Sequence, residues 1–111
     1  MGTKEKFQGI LNEVKAKTAK FDASSYNGFL AIQVTLKDLG EVFYLEIKDG
    51  VLTVEPSEYN DRQANLVMGS DDFVKMINGK LNSLVALTTG KLKIEGDLSK
   101  AKELSNLLKG G

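Results

Sequence analysis

The reading of this chain turns on residues 79–98: Gly79-Lys80-Leu81-Asn82-Ser83-Leu84-Val85-Ala86-Leu87-Thr88-Thr89-Gly90-Lys91-Leu92-Lys93-Ile94-Glu95-Gly96-Asp97-Leu98. A Gly-Lys-Leu triplet occurs twice, at Gly79-Lys80-Leu81 and at Gly90-Lys91-Leu92, and each glycine can stop one element so that the next begins. The first triplet opens a short helix, read from Leu81 to Thr89. The second opens a strand, in which Leu92 and Ile94 alternate with Lys91, Lys93 and Glu95. Just upstream, Ser70-Asp71-Asp72-Phe73 has the form of a helix start capped by Ser70, carrying Val74, Met76 and Ile77 to the first glycine. Asp97 is placed to cap a last helix from Leu98 to about Lys109, with Leu98, Ala101, Leu104, Leu107 and Leu108 on one side.

Toward the N-terminus, residues 3–20 place Phe7, Ile10, Leu11, Val14, Thr18 and Phe21 at spacings of three and four, the stripe of an amphipathic helix that packs on a sheet. Asp22 to Gly28 breaks that pattern. From Phe29 to Lys37 the period becomes two, with Leu30, Ile32, Val34 and Leu36 on one face; Glu41 to Lys48 repeats it with Phe43, Leu45 and Ile47. Asp49-Gly50 is a favoured two-residue hairpin turn, Val51 to Glu55 follows with Leu52 and Val54, and Pro56 ends the run. The polar stretch Ser57 to Gln63 is expected to carry the chain to a new edge, where Ala64, Leu66 and Met68 form a fourth strand.

Burying all these apolar faces together predicts an α+β fold. It has a five-stranded, mostly antiparallel sheet with one face covered by an N-terminal helix, two short helices and a C-terminal helix. The other face, with Gln33, Thr35, Tyr44, Glu46, Thr53 and Glu55, is expected to meet water. No linker or shift of composition divides the 111 residues, so 1–111 is read as a single domain.

Composition narrows the chemistry. Fifteen basic and 15 acidic residues give a net charge of zero, so no nucleic-acid partner is expected. There is neither cysteine nor histidine, which removes disulfides, thiolate and imidazole metal sites and the ordinary nucleophilic triads. Adjacent Asp71 and Asp72 do not face each other on a helix, and their first-turn position suits the helix dipole. Glu46 and Glu55 are placed to pair with Lys48 across the hairpin, a surface arrangement. No catalytic residue, metal site or cofactor is expected, and the chain is read as not an enzyme. Neither a membrane span nor a secretory signal is read. Lys6 stands where a myristoylation signal has Ser or Thr, and Lys109-Gly110-Gly111 is not a peroxisomal address, so a cytoplasmic location is expected.

The blocks Ser70-Asp71-Asp72-Phe73, Gly79-Lys80-Leu81-Asn82 and Gly90-Lys91-Leu92-Lys93-Ile94-Glu95-Gly96-Asp97, with their spacing, resemble the sterol carrier protein 2 family. Its members commonly carry Ser-Asp-x-Asp-Phe, then Gly-Lys-Leu-Asn-Pro, then Gly-Lys-Leu-Lys-Ile/Val-x-Gly-Asp. Here Ser83 stands at the usual proline and the first block is one residue shorter, both at helix starts. The resemblance covers nearly the whole chain, although only Ser70 to Leu98 carries specific motifs.

The resemblance implies an apolar cavity between sheet and helices that binds, and hands on, a lipid or fatty acyl ligand (fatty acid, acyl-CoA or sterol-like). Periodicity does not reveal such a cavity, because stripes that close a core and stripes that line a space read alike. The apolar residues Leu81, Leu84, Val85, Ala86 and Leu87 cover more than one side of a short helix, and either core packing or a ligand supplies the second contact. The lining is expected to comprise Phe73, Met76, Ile77, Leu81, Leu84, Val85, Leu104 and Leu108 from the helices, over a floor of Ile32, Val34 and Leu45, with Met68 as an adaptable neighbour. Lys75, Lys80, Lys91, Lys93, Lys100 and Lys102 cluster in sequence near the mouth. Interleaved acids favour a solvated face, with transient membrane-surface contact as the functional counterpart. A monomer is expected over a dimer. The alternative function is an accessory interaction domain whose apolar helix layer docks a partner protein or fused enzyme.

Overall fold

In the computed structural model, which describes residues 3–26 and 28–110 with side chains as far as Leu107, the period-two segments become strands β1 (Leu30–Leu36), β2 (Glu41–Lys48), β3 (Val51–Glu55), β4 (Ala64–Met68) and β5 (Leu92–Gly96). The helices are α1 (Thr3–Thr18), α2 (Ser70–Ile77), α3 (Ser83–Thr88) and α4 (Leu98–Gly110). A single turn of 3₁₀ helix, Ala23–Ser25, stands where the sequence shows only a broken pattern; Asp22 caps it by accepting from the Ser24 N–H.

The strands lie in the order β3-β2-β1-β4-β5, all neighbours antiparallel except β1 and β4. Because side chains alternate, one register decides every face. Val54, Leu45, Ile32, Ala64 and Gly96 stand in one row across the sheet. Phe43, Val34, Leu66 and Ile94 form the next. These rows meet the helices, and Ile32, Val34, Leu36, Phe43 and Leu45 lose all contact with water. Phe43 stacks with Phe7 of α1 (centroids 6.2 Å) and edge-on with Phe73 of α2 (5.7 Å), which pins both helices over β2. The β2–β3 hairpin closes through Asp49 and Gly50, both at positive φ (52° and 77°), as the twist of paired strands requires.

The opposite face is less open than the alternation suggests. Residues 56–63 run across it from β3 to β4, and Tyr59 packs on Tyr44 (4.9 Å) and Phe29 (6.4 Å). The Tyr59 backbone N–H donates to Gln33 Oε1 (3.0 Å), and its hydroxyl donates to Glu46, so Glu46 is not the partner of Lys48 that the hairpin suggested. That hydrogen bond, reinforced by burial, pushes the Tyr59 hydroxyl up to about 12. Gln33 is only 4% exposed, against the expectation that it meets water, and its amide reaches Asn65, which also accepts from Thr35 (3.0 Å).

The helix starts show one further departure. Asn82 caps α3 and Asp97 caps α4, each accepting from two backbone N–H groups. Ser70, read as the cap of α2, instead begins that helix. Gly69 holds the cap position, and the carboxylate comes from Asp38 in the β1–β2 turn, accepting from the Ser70 N–H (2.8 Å) and hydroxyl (2.6 Å). The second of the two short helices also begins later than read, at Ser83, because Asn82 takes the cap and leaves Leu81 in the preceding loop.

Two outcomes follow from this geometry. Gly96 has φ +98°, and a Cβ there would stand 2.6 Å from the Gln63 carbonyl and 3.1 Å from Ala64 Cα, so Gly96→Ala should cost about 2 kcal/mol or more in a denaturant titration. The Asp38 carboxyl is held below its usual range, first by the Ser70 hydroxyl. With the folded pKa below the unfolded one, its stabilisation is complete above the unfolded value and is lost as pH falls through the folded value. Asp38→Ala should therefore melt below the wild type at neutral pH, and the two Tm values should converge as the pH is lowered from 5 toward 2.

Candidate functional site

The sheet's helix-covered face is not sealed at the β4–β5 edge. There α4 passes over the sheet while α3 packs chiefly against β5, and between them lies a recess of about 140 Å³. Leu66, Leu92 and Ile94 form its floor, Met76 closes the side toward α2, Leu84 and Leu87 come from α3, and Leu98 and Ala101 from α4. Ser83, Lys102 and Ser105 are its polar members, and no carboxylate is among the described lining residues.

Local sequence explains why space remains here. Four apart on α4, Ala101 and Ser105 put small side chains where Leu104 and Leu107 fill the core on the helix's other flank. Opposite them, α3 has six residues and only Ala86 is fully buried, so it offers little bulk. The lip is apolar and wet: Leu84 is 66% exposed, Val85 50% and Leu98 55%. Two exposed large apolar side chains, Leu84 and Leu98, line this one opening and Val85 stands next to Leu84 on α3, whereas the recess along β3 has Val51 alone in that state.

Two wider recesses have different walls. One, of about 460 Å³, lies between the end of α1, the 3₁₀ turn and α4, and is lined by Lys20, Asp22, Tyr26 and Glu103 among others. There Tyr26 donates to Glu103 (3.0 Å); burial first and that carboxylate second push its hydroxyl up. The other, of about 610 Å³, follows the β3 edge past Lys15, Asp22 and Glu55. Neither gives an acyl chain a continuous apolar wall.

The residues expected to line a cavity divide into groups. Met76 and Leu84 do line the recess. Ile32, Val34, Leu45, Met68, Phe73 and Leu104, with Ile77, are buried in the packed core beyond it. Leu81 is half-buried against that core, Val85 is beside Leu84 on the solvent side, and the Leu108 side chain lies outside the described residues. Sequence reading did not single out Leu66, Leu87, Leu92, Ile94, Leu98 or Ala101 as lining; the one available signal was the small pair Ala101 and Ser105 amid leucines. Of the six lysines placed near the mouth, only Lys102 lines the recess, while Lys93 and Lys100 pair with Glu95 (4.0 Å) and Glu103 (3.3 Å). Asp71 pairs with Lys6 (2.9 Å) on the outside of α2. No helix among the described residues is long and apolar enough to cross a membrane.

Comparison with known proteins adds three findings. The model of the SCP-2 sterol transfer family matches residues 7–109. Hydroxysteroid dehydrogenase-like protein 2 of Homo sapiens is 41% identical over 71 residues, which are 62% of this chain and 17% of that protein, so the chain spans a small part of that relative's length. Among solved structures, sterol carrier protein 2 like 2 of Aedes aegypti superimposes with a TM-score of 0.73 at 18% identity, over 95% of this chain and 98% of that one. Sterol carrier protein 2 of Aedes aegypti, solved in complex with palmitate, gives 0.66 at 16% identity, over 91% and 92%. At these identities the structural likeness establishes the fold.

Ser83 is the first residue of α3, whose N–H an α-helix leaves without an internal partner, and Asn82 before it is extended (φ −73°, ψ 131°) as a residue preceding proline prefers. Ser83→Pro should therefore be accepted and should raise stability by roughly 0.4–1 kcal/mol, chiefly by restricting the unfolded chain. Chemical denaturation of the two proteins checks this.

Proposed function

The chain belongs to the SCP-2 sterol transfer family, and from that premise we propose that residues 1–111 act as one non-catalytic domain that takes up a lipid or fatty acyl chain at the α3–β5–α4 recess and passes it on. The observation that carries the proposal is the conjunction of an apolar recess with an exposed apolar lip, Leu84, Val85 and Leu98, on the same side of the molecule. Palmitate bound to the structurally similar Aedes aegypti protein supports the ligand class.

Uptake is an exchange of water for hydrocarbon. Each methylene buried contributes about 0.8 kcal/mol, so a long acyl chain gathers on the order of 10 kcal/mol before the cost of ordering it is subtracted. At about 140 Å³ the recess is smaller than a whole-ligand pocket, so the lip must open. We assign that motion to α3 and not to the C-terminal helix. A six-residue helix has little stability of its own, and α3 packs chiefly on β5, whereas α4 packs on α1, α2, β1, β4 and β5. A lipid surface approached by Leu84 and Val85 would favour the open form, which supports transient membrane contact during transfer.

A second reading is supported by the human relative, in which the matched segment is 17% of a longer protein. There the same lip would dock a neighbouring domain or partner. Sedimentation with and without added fatty acid separates the two, because a docking lip predicts self-association that ligand does not relieve.

Native mass spectrometry followed by organic extraction is expected to find a co-purified lipid or, after delipidation, to record fatty acid uptake; a protein that neither carries nor accepts one would end the carrier reading. Ala101→Leu adds bulk to the wall of the recess. It should weaken fatty acid uptake by about 10-fold and, because Ala101 is only 2% exposed and packs in the core, should also lower the Tm, so a circular-dichroism spectrum matching the wild type at the assay temperature accompanies the measurement.

A further inference from the structure

The net charge is zero, yet it is not evenly spread: residues 73–94 carry Lys75, Lys80, Lys91 and Lys93 and no acid. α3 stands in the middle of that stretch, six residues or about 9 Å long, with Lys80 just before it and Lys91 just after. Of the four large apolar side chains exposed among the described residues, Leu84 and Val85 are on α3, and Leu98 stands beside Leu84 at the recess that Lys102 also lines. The acids that follow in sequence are committed to other partners. Glu95 accepts from Asn65 on the opposite face of the sheet (3.0 Å), Asp97 accepts from the Ser99 and Lys100 N–H groups at the start of α4, and Glu103 is held by Tyr26 and Lys100. Lys80, Lys91 and Lys102 take no part in the ion pairs among the described residues, which engage Lys6, Lys93 and Lys100.

The tip of α3 is also prepared to leave water. Asn82 accepts from the N–H groups of Leu84 (2.8 Å) and Val85 (3.4 Å), and the Val85 carbonyl accepts from the Thr89 N–H (3.0 Å) and from the Thr88 and Thr89 hydroxyls. An apolar layer can therefore receive these side chains without stranding those backbone groups. α1 lacks this property, although it is amphipathic and rich in lysine: Phe7, Ile10, Leu11 and Val14 are all buried in the core, so its outward side offers no large apolar side chain. Charge of one sign around exposed apolar side chains matches a lipid surface of the opposite sign. We infer that α3 docks the protein on an anionic bilayer surface, with Leu84 and Val85 entering the interface and Lys80, Lys91 and Lys102 among the headgroups. This inference rests on the transfer reading above and names the surface at which transfer takes place.

The chain has no tryptophan, so one introduced at Val85 reports on that site alone. Val85→Trp fluorescence should shift to the blue on vesicles of phosphatidylcholine with about 30% phosphatidylserine. Affinity for phosphatidylcholine alone should be lower by about 100-fold, at about 5-fold for each of three lysines. Gln8→Trp, on the exposed side of α1, should not shift. In the otherwise native chain, Lys80→Gln with Lys91→Gln should weaken co-sedimentation with the anionic vesicles by about 25-fold. Fatty acid uptake from solution should be unchanged in that variant, since neither lysine lines the recess. No vesicle binding, equal binding to neutral vesicles, a shift at Gln8→Trp in place of Val85→Trp, or an affinity that survives loss of both lysines overturns the docking surface and leaves lipid uptake standing. A shift that appears on concentrating the protein without vesicles assigns the lip to a second copy and overturns the docking surface too. Vesicle binding of the expected kind by a protein that takes up no fatty acid supports the docking surface and overturns the carrier reading alone.

Discussion

Ile32 to Leu36 of β1 pair in parallel with Ala64 to Met68 of β4, and a hairpin cannot join strands that run the same way, so the chain must travel between them over a face of the sheet. Three antiparallel strands are already in place when β3 ends. Glu55, Tyr44, Gln33 and Asn65 stand in one row, so the end of β3 is level with the start of β4 and lies three strand spacings, about 14 Å, from it. Residues 56–63 cover that gap beneath the sheet. Gln63 then secures the landing, donating its N–H to the Ala31 carbonyl (2.7 Å) while its side chain bonds both the Ala31 N–H and the Phe29 carbonyl. The same corner receives the end of β5, where the Gln63 carbonyl accepts from the Asp97 N–H (2.8 Å), and this crowding is why Gly96 has no room for a side chain.

That crossing gives the two faces different chemistry. Beneath the sheet, Gln33, Asn65, Tyr59 and Glu46 are joined by hydrogen bonds, so Gln33 and Asn65 are buried with partners while Tyr59 and Glu46 stay half-buried over them. Above it, the central rows on β1 and β2 are closed by α1, α2 and α4 with aromatic and branched side chains. Over β4 and β5, at the edge added last, large residues run out and an apolar space is left. The proposed binding site is thus a consequence of topology, because β5 is an edge strand and the helix beside it is the shortest in the fold.

The helix ends show how closely local and long-range determinants are interleaved in this segment. Asn82 and Asp97 cap their own helices from within the motif, so α3 and α4 start where the sequence says they should, to within a residue or two. In α2 the capping carboxylate comes instead from Asp38, far back in the β1–β2 turn. Such a contact ties the start of α2 to the first hairpin, while Phe73 packs on Phe43 and Met76 and Ile77 are buried beyond it, which seats the whole eight-residue helix on the core.

The strands, the Asp49-Gly50 turn, the amphipathic first helix and the final capped helix were all determined by sequence alone, because each rests on periodicities or turn residues confined to a short window. The motif from Ser70 to Leu98 added the family, the order of the last elements and the class of ligand to look for. Three things were decided only by tertiary structure. The parallel partner of β1 follows from where residues 56–63 land, and no local pattern records which face they cross. The Asp38 cap joins residues 32 apart. The lining of the recess depends on which apolar residues fail to meet, and Ile32 and Ile94 look alike in a strand although one is sealed under helices and the other borders an opening. Apolar spacing states which side of an element leaves water, whereas the gap left between elements is a sum over all their volumes, and that sum exists only once they are packed together.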